Sequence, residues 1–521
     1  MVPSNSSEML AKAIAAHRQG ERGAAMEAYR ALLDGAPDHP DALHLLGVAH
    51  YEGREYREAL PLIRRAIELR PDVAEFHHSL GALYRAGEYY ETACRSIAQA
   101  LRLAPAFLDA YNTLGLTLID MKRLDDAETV LRQGLSHDPE NADLCATLGS
   151  VYLHRDDHDA AVGALERALA LDPTHGNALN SLGVARNLMG ERAAALAAFE
   201  KSLEHAPGHV FAHCNYAQQL LMEGDFEQGW LQHEWRLERP NYRRDFTAPR
   251  WRGEPLDGRR ILLWTEQGLG DAIQFVRFAP LVAARGGRVL VECKPRLHRL
   301  FAGVEGVDMV ADAGDGGAYD LHCPIMSLPL IFETRPDHVP GMVPYLPSPV
   351  AVSPDAPDGA LKIGLNWAGN PNNSQDRQRS RHLTEFAPLA EVADVALFSL
   401  QWGAGSEQRP PPGMTLVDLC PGQKDFYDTA AAMAGLDLVI SVDSAAAHLA
   451  GGLGRPTWLI LDQVADWRWM VGREDTPWYP TMRLFRRTSD WPGLFERMAA
   501  ELSRLARDSA GSTVADTAML R

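Results

Sequence analysis

Small and helix-breaking residues recur along the first two-fifths of the chain with one period. Prolines stand at Pro37, Pro71, Pro105, Pro139, Pro173 and Pro207, each 34 residues after the last. Ala13, Gly47, Gly81, Gly115, Gly149, Gly183 and Ala217 form a second series, and Ala25, Ala59, Ala93, Ala127, Ala161, Ala195 and Gly229 a third. Three phase-locked series predict paired helices that touch at the small positions, with the proline ending the second helix of each pair. Six such units fill residues 6–209, and a degenerate seventh spans 210–241. There GWLQHEWRLERP sets Trp230 and Trp235 on one helix, an aromatic seal for the last apolar face.

After a proline- and arginine-rich stretch at 242–258, read as a linker, the pattern changes. Short apolar runs alternate with helical stretches: RRILLWT (259–265), RVLVEC (288–293), VDMVAD (307–312) and DLHCPI (320–325). A second linker at 346–360 precedes LKIGLNW (361–367), VALFSLQ (395–401), MTLVDL (414–419), LDLVISV (436–442) and PTWLIL (456–461). Apolar strands separated by helices predict parallel sheets with crossovers. The expected architecture is α + α/β: a helical solenoid, then Rossmann-like halves at 259–345 and 361–507, then a disordered tail at 508–521.

The 34-residue period is identified as the tetratricopeptide repeat. In that arrangement the first helix of each pair lines one face of the stack. Ser79, Thr113, Thr147, Ser181 and Asn215 fall on it, with His44, His78, Asn112 and Asn180 one position earlier. Small polar and amide side chains suit the backbone of an extended peptide, or they solvate an empty face. A protein partner is expected.

Composition narrows the classes. The chain has 521 residues, enough for three or four domains, and a net charge of −18 that repels nucleic acid. Apolar runs fall short of the roughly 18–20 residues a membrane span needs, and MVPSNSSEMLAKAIAAHRQG lacks the pattern of a secretory signal. The six cysteines, Cys94, Cys145, Cys214, Cys293, Cys323 and Cys420, make no CxxC pair and read as reduced packing residues. A cytoplasmic chain is the expectation.

Three stretches carry candidate chemistry. Glu266-Gln267-Gly268-Leu269-Gly270-Asp271 lies between a strand and a helix, without the third glycine of a dinucleotide fingerprint. Asp271 is there either a helix cap or a general base facing a cleft. Ser441 to His448, SVDSAAAH, opens another helix behind a strand; its first N–H groups suit a phosphate, and His448 is either a phosphate ligand or a packing residue. The loop after Asn366 and Trp367 holds Arg377, Arg379 and Arg381, three cations for a leaving phosphate or a solvated loop.

The last 270 or so residues resemble bacterial glycosyltransferases of the ADP-heptose:lipopolysaccharide heptosyltransferase type, and especially the subgroup fused behind tetratricopeptide repeats. The likeness rests on GLGDAIQFVRFAP, DLHCPIMSLP, LKIGLNWAGNP with DRQRSR, DLVISVDSAAAHLAGGLGRPTW and DWRWMVGREDTPWYPTMRLF. It implies a glycosyltransferase-B fold, a nucleotide-sugar substrate, no cofactor and no metal. Asp271 matches the family's catalytic aspartate. The donor side falls to Gly270, Asn366, Trp367, Arg379, Gln401, Asp443, Ser444, Ala445 and His448, with Ser444 in place of the usual threonine. The acceptor groove falls to His78, Ser79, Asn112, Thr113, Thr147, Asn180, Ser181 and Asn215. Trp467, Trp469 and Trp478 either stack on the nucleotide base or pack the lobe. The leading expectation is Ser/Thr O-glycosylation of a protein, flagellin favoured. The alternatives are transfer to a lipid-linked or lipopolysaccharide glycan, and a non-catalytic scaffold.

Overall fold

The computed structural model describes residues 4–373 and 376–511. The chain divides into two compact units, residues 1–209 and 210–521. In the first, twelve helices run as six pairs: α1 Ser4–Arg18, α2 Arg22–Gly35, α3 Pro40–Glu52, α4 Tyr56–Leu69, α5 Ala74–Ala86, α6 Tyr90–Leu103, α7 Leu108–Asp120, α8 Leu124–His137, α9 Ala142–His154, α10 His158–Leu171, α11 Gly176–Leu188 and α12 Arg192–His205. One packing rule repeats. A Cβ placed on Gly47, Gly81, Gly115, Gly149 or Gly183 would come within 2.4–2.7 Å of Ile63, Ile97, Leu131, Leu165 or Phe199 on the second helix of the same pair. The glycine is there because a bulky side chain occupies the space, and together they set how closely the pair approaches. The alanines of the third series, from Ala25 to Ala195, are wholly buried.

The second unit begins with α13 (Val210–Glu223) and α14 (Phe226–His233). Trp230 is buried against Trp467, Trp478 and Phe275, with centroids 5.3, 6.3 and 6.4 Å away. Trp235 instead stacks on His213 at 3.9 Å. The segment 242–258 is not a free linker. Trp251 and Leu256 are wholly buried, and the Trp251 N–H donates to the His322 carbonyl at 2.8 Å. Two large apolar side chains outweigh the proline- and arginine-rich surroundings.

Four parallel strands follow, β1 Arg260–Trp264, β2 Arg288–Glu292, β3 Met309–Ala311 and β4 Leu321–Pro324, in the order β3-β2-β1-β4. A second parallel sheet holds β5 Leu361–Asn366, β6 Val395–Ser399, β7 Leu416–Asp418, β8 Leu438–Val442, β9 Thr457–Leu461 and β10 Met482–Arg486, in the order β10-β9-β8-β5-β6-β7. The edge strand β10 escaped sequence reading: MRLFR mixes arginines into a five-residue run, so it shows no continuous apolar signal. One apolar core, including Trp230, Ile261, Phe275, Leu459 and Trp478, joins α14 to both sheets. The last helix, Trp491–Gly511, runs past the boundary expected at 508; its apolar face, from Leu494 to Ala506, packs on the second sheet. The rest of the expected tail, 512–521, lies outside the described residues.

Candidate functional site

Both sheets reverse strand order, between β1 and the edge strand β4 in the first and between β8 and β5 at the centre of the second. Loops leaving the carboxyl ends of strands at such points splay apart and open a crevice. Here they bound a cleft of about 460 Å³ lined from both halves.

On the first half, β1 leads through Glu266–Gly268 into α15 (Leu269–Phe275). Asp271 does not open this helix. It stands third in it, and its Oδ2 accepts the Gly268 N–H at 2.7 Å. Its Oδ1 accepts from the Arg468 guanidinium. Gly270 is required by close approach, since a Cβ there would lie 2.8 Å from the His448 ring. Beneath the loop, the fully buried Arg236 donates to Glu266 at 2.6 and 3.0 Å, to Glu234 at 2.8 Å and to Ser327 at 2.8 Å. A segment next to α14 thus pins the strand-to-helix turn that carries Asp271.

On the second half, the helix Ala445–Gly452 follows β8. Ser444 occupies its cap position, yet its Oγ donates to Asn366 Oδ1 at 2.7 Å and caps nothing. The first turn is left without a side-chain cap, and Ser444, Ala445 and Ala446 line the cleft. Uncapped N–H groups at a helix start carry partial positive charge. Asp443 is buried and faces Arg379 at 3.7 Å; burial raises its carboxyl pKa against the pull of that arginine. Burial, aided by Arg468, lowers the His448 pKa to about 3, so the ring is neutral near pH 7. Its Nδ1 lies 2.8 Å from the Tyr479 hydroxyl.

Of the residues expected on the donor side, Gly270, Asn366, Arg379, Asp443, Ser444, Ala445 and His448 line this one cleft with Asp271. Trp367 and Gln401 do not. Gln401 Oε1 accepts from Asn366 Nδ2 and from the Trp367 and Ala368 N–H groups, each at 2.9 Å, while Trp367 Nε1 donates to the Gly405 carbonyl at 3.2 Å. Both staple loops together from behind. Of the three loop arginines only Arg379 reaches the cleft; Arg381 lies over the Trp491 ring at 3.9 Å. Trp467, Trp469 and Trp478 are buried in the core and present no face to a base. Sequence reading missed Lys294, Arg296, Trp402, Asp466 and Arg468 in the lining. The D-W-R spacing around Trp467 was the available signal for the last pair, obscured by its aromatic neighbours. The lining then holds four carboxylates, Asp271, Asp376, Asp443 and Asp466, against four cations, Lys294, Arg296, Arg379 and Arg468. The cleft is thus charge-balanced in a chain of −18, far less negative than the protein as a whole.

On the repeat face, side chains bond sideways from one repeat to the next. His44 meets Ser79 at 2.9 Å, His78 meets Thr113 at 2.8 Å and Thr147 donates to Asn112 at 2.6 Å. Thr147 is buried, so it is not open to a partner. Asn180 and Ser181 stand on α11, whereas Asn215 stands on α13 and belongs to the second unit.

Tetratricopeptide-repeat families match residues 10–74, 45–107 and 118–184, so the N-terminal region consists of tetratricopeptide repeats. Protein FlbA of Caulobacter vibrioides (strain ATCC 19089 / CIP 103742 / CB 15) is 27% identical over 341 residues, covering 56% of this chain and 54% of that protein. The chain thus spans about half the length of that relative. Among solved structures, TTC0263, a thermophilic TPR protein of Thermus thermophilus, is 27% identical over 35% of this chain and 99% of its own, with a TM-score of 0.33. The APC/C hetero-tetramer Cut9–Hcn1 is 17% identical over 43% of this chain and 45% of its own, with a TM-score of 0.39. YrrB, a TPR protein with an unusual peptide-binding site, is 21% identical over 36% of this chain and 96% of its own, with a TM-score of 0.27.

Proposed function

We propose that the chain is an inverting glycosyltransferase of glycosyltransferase-B architecture. It transfers a sugar from a nucleotide-sugar to a Ser or Thr hydroxyl of a protein held by the repeats, flagellin being the favoured acceptor and the cytoplasm the place of reaction. The observation that carries this reading is that a carboxylate, Asp271, and an uncapped helix start, Ser444 to Ala446, line one cleft from opposite halves. A phosphate on those N–H groups would be held by helix polarity and by Arg379, with no metal required of the site. Asp271 takes the hydroxyl proton as the acceptor oxygen bonds to the anomeric carbon and the sugar–phosphate bond breaks. Base assistance of this kind contributes about 10²–10⁴-fold. His448, neutral at working pH, orients an oxygen and supplies no charge.

The test is turnover by the full chain with UDP-, CMP- and ADP-sugars and flagellin, beside Asp271→Asn. Transfer should fall by at least about 100-fold in the variant while nucleotide is still bound. Equal transfer removes Asp271 from the reaction. Nucleotide binding without transfer by the native chain favours the scaffold reading, and transfer to glycolipid alone moves the acceptor class away from protein.

A further inference from the structure

The mechanism above leaves unused the most enclosed cation in the cleft. Arg468 has a side chain only 7% exposed and sits between two carboxylates of that cleft. Its Nε donates to Gln274 at 2.5 Å, Nη1 to Asp466 at 2.9 Å, and Nη2 to Asp271. The Trp467 ring lies 4.2 Å from its guanidinium carbon, which holds the plane of the group in place. Each Nη carries a second N–H, so the fork can hold one partner and offer itself to another. Asp466 also accepts the Arg468 backbone N–H at 3.1 Å, which makes it the standing partner. Asp271 stands on the other half of the unit and is the partner whose charge the reaction changes.

Resting on the transferase reading, we infer that Arg468 couples the base to the leaving group: it is paired with Asp271 before transfer and with the departing phosphate as Asp271 takes up the proton. The balance is simple. The acceptor O–H proton passes to a carboxylate oxygen of Asp271, and the acceptor oxygen forms its bond to the anomeric carbon. The bond from that carbon to the phosphate oxygen breaks, and its electron pair stays on the phosphate. One anion next to Arg468 is neutralised while another gains charge. Protonation of Asp271 thus frees the guanidinium for the phosphate at the step in which that group gains charge. Its hold on the phosphate is therefore stronger in the transition state than in the ground state, which is the condition for an interaction to accelerate a reaction.

Asp271→Asn imitates the protonated base, so its effect on product binding reads the coupling directly. UDP, CMP and ADP are titrated calorimetrically into the full native chain, and the nucleotide that binds is carried forward to D271N, R468Q, the double variant and R468K. D271N should tighten binding about tenfold, and R468Q should weaken it by a similar factor. In the R468Q background D271N should change binding by less than about twofold. An equal gain from D271N with and without Arg468 would mean simple relief of repulsion and would overturn the coupling, as would no gain at all. Should R468Q fail to fold by tryptophan fluorescence, R468K serves in its place. An ammonium lacks the fork, so the D271N gain must shrink there by about threefold or more, and an undiminished gain overturns the proposal. If the native chain binds none of the three nucleotides, the donor reading fails and the coupling falls with it. Binding without the cycle effect removes the coupling alone.

Discussion

The two units use arginine in opposite ways. In the repeats the ion pairs sit outside: Arg65 and Asp38 meet at 2.8 Å with side chains 46% and 65% exposed. Such pairs are screened and contribute little. In the second unit Arg236, Arg277 and Arg468 are buried, and each fastens a separate piece of the fold. Arg236 holds the turn before α15, and both Arg277 Nη groups donate to the Trp478 carbonyl at 2.9 Å. Arg468 reaches from the Trp467–Trp469 turn to Asp271. Burying a guanidinium is costly unless every neighbour answers it, so these positions tolerate little change. One unit gains stability by repeating a cheap steric rule. The other holds loops from distant parts of the chain with a few demanding polar contacts.

Acid should separate the units most. Burial lowers the pKa of His448 to about 3 and of His322 to about 4, and that of His233 well below the usual value, all in the second unit. In the first, burial lowers His44 to about 4 and also lowers His78. A histidine depressed in the fold binds protons preferentially when unfolded. The stability it lends is full above about pH 6.5 and is lost as the pH falls toward the folded value. For His448 alone the loss by pH 4 is about 3 kcal/mol. All eleven tryptophans lie in the second unit, so their fluorescence follows it alone while circular dichroism follows the whole chain. The fluorescence midpoint should fall further between pH 7 and 4, and parallel movement of both signals would erase the contrast.

Arg236→Met, which strips the buried Glu266 of its guanidinium and leaves Glu234 with Arg250 alone, should cost the second unit about 3 kcal/mol in urea denaturation followed by tryptophan fluorescence. A loss below about 1 kcal/mol would show that the buried cluster is not needed to hold the Asp271 turn. Smaller is Gly81→Ala, whose Cβ would meet Ile97 at 2.4 Å; about 1–3 kcal/mol should be lost from the repeats alone. Gly163→Ala on α10 meets nothing within 4 Å and should gain a few tenths to about 1 kcal/mol, so equal responses at the two glycines would refute the packing rule. At the bottom, Arg65→Ala should leave the thermal midpoint unchanged.

The repeats were legible because each contact is local and recurs: a glycine, its bulky partner and a proline fall at fixed offsets within one period. Most strands were legible as continuous apolar runs, since sheets covered on both faces need no polar alternation. The site was legible in part. Asp271, Ser444 and His448 sit at strand-to-helix turns, where short polar and glycine-rich runs stand out between apolar strands. Trp251 hid in a stretch whose composition reads as loop, and Trp467, Trp469 and Trp478 read equally well as ligand-facing or buried. Only packing distinguishes those cases.

Period, element type and the small-residue rule were set by the sequence on its own, because helices and strands answer to neighbours a few residues away. What meets across the cleft was decided by the tertiary fold. Arg468 and Asp271 are separated by nearly two hundred positions, and their pairing depends on how two sheets reverse strand order and share one core. A charge so far along the chain leaves no periodic trace, so its partner becomes visible only when the strands are laid side by side.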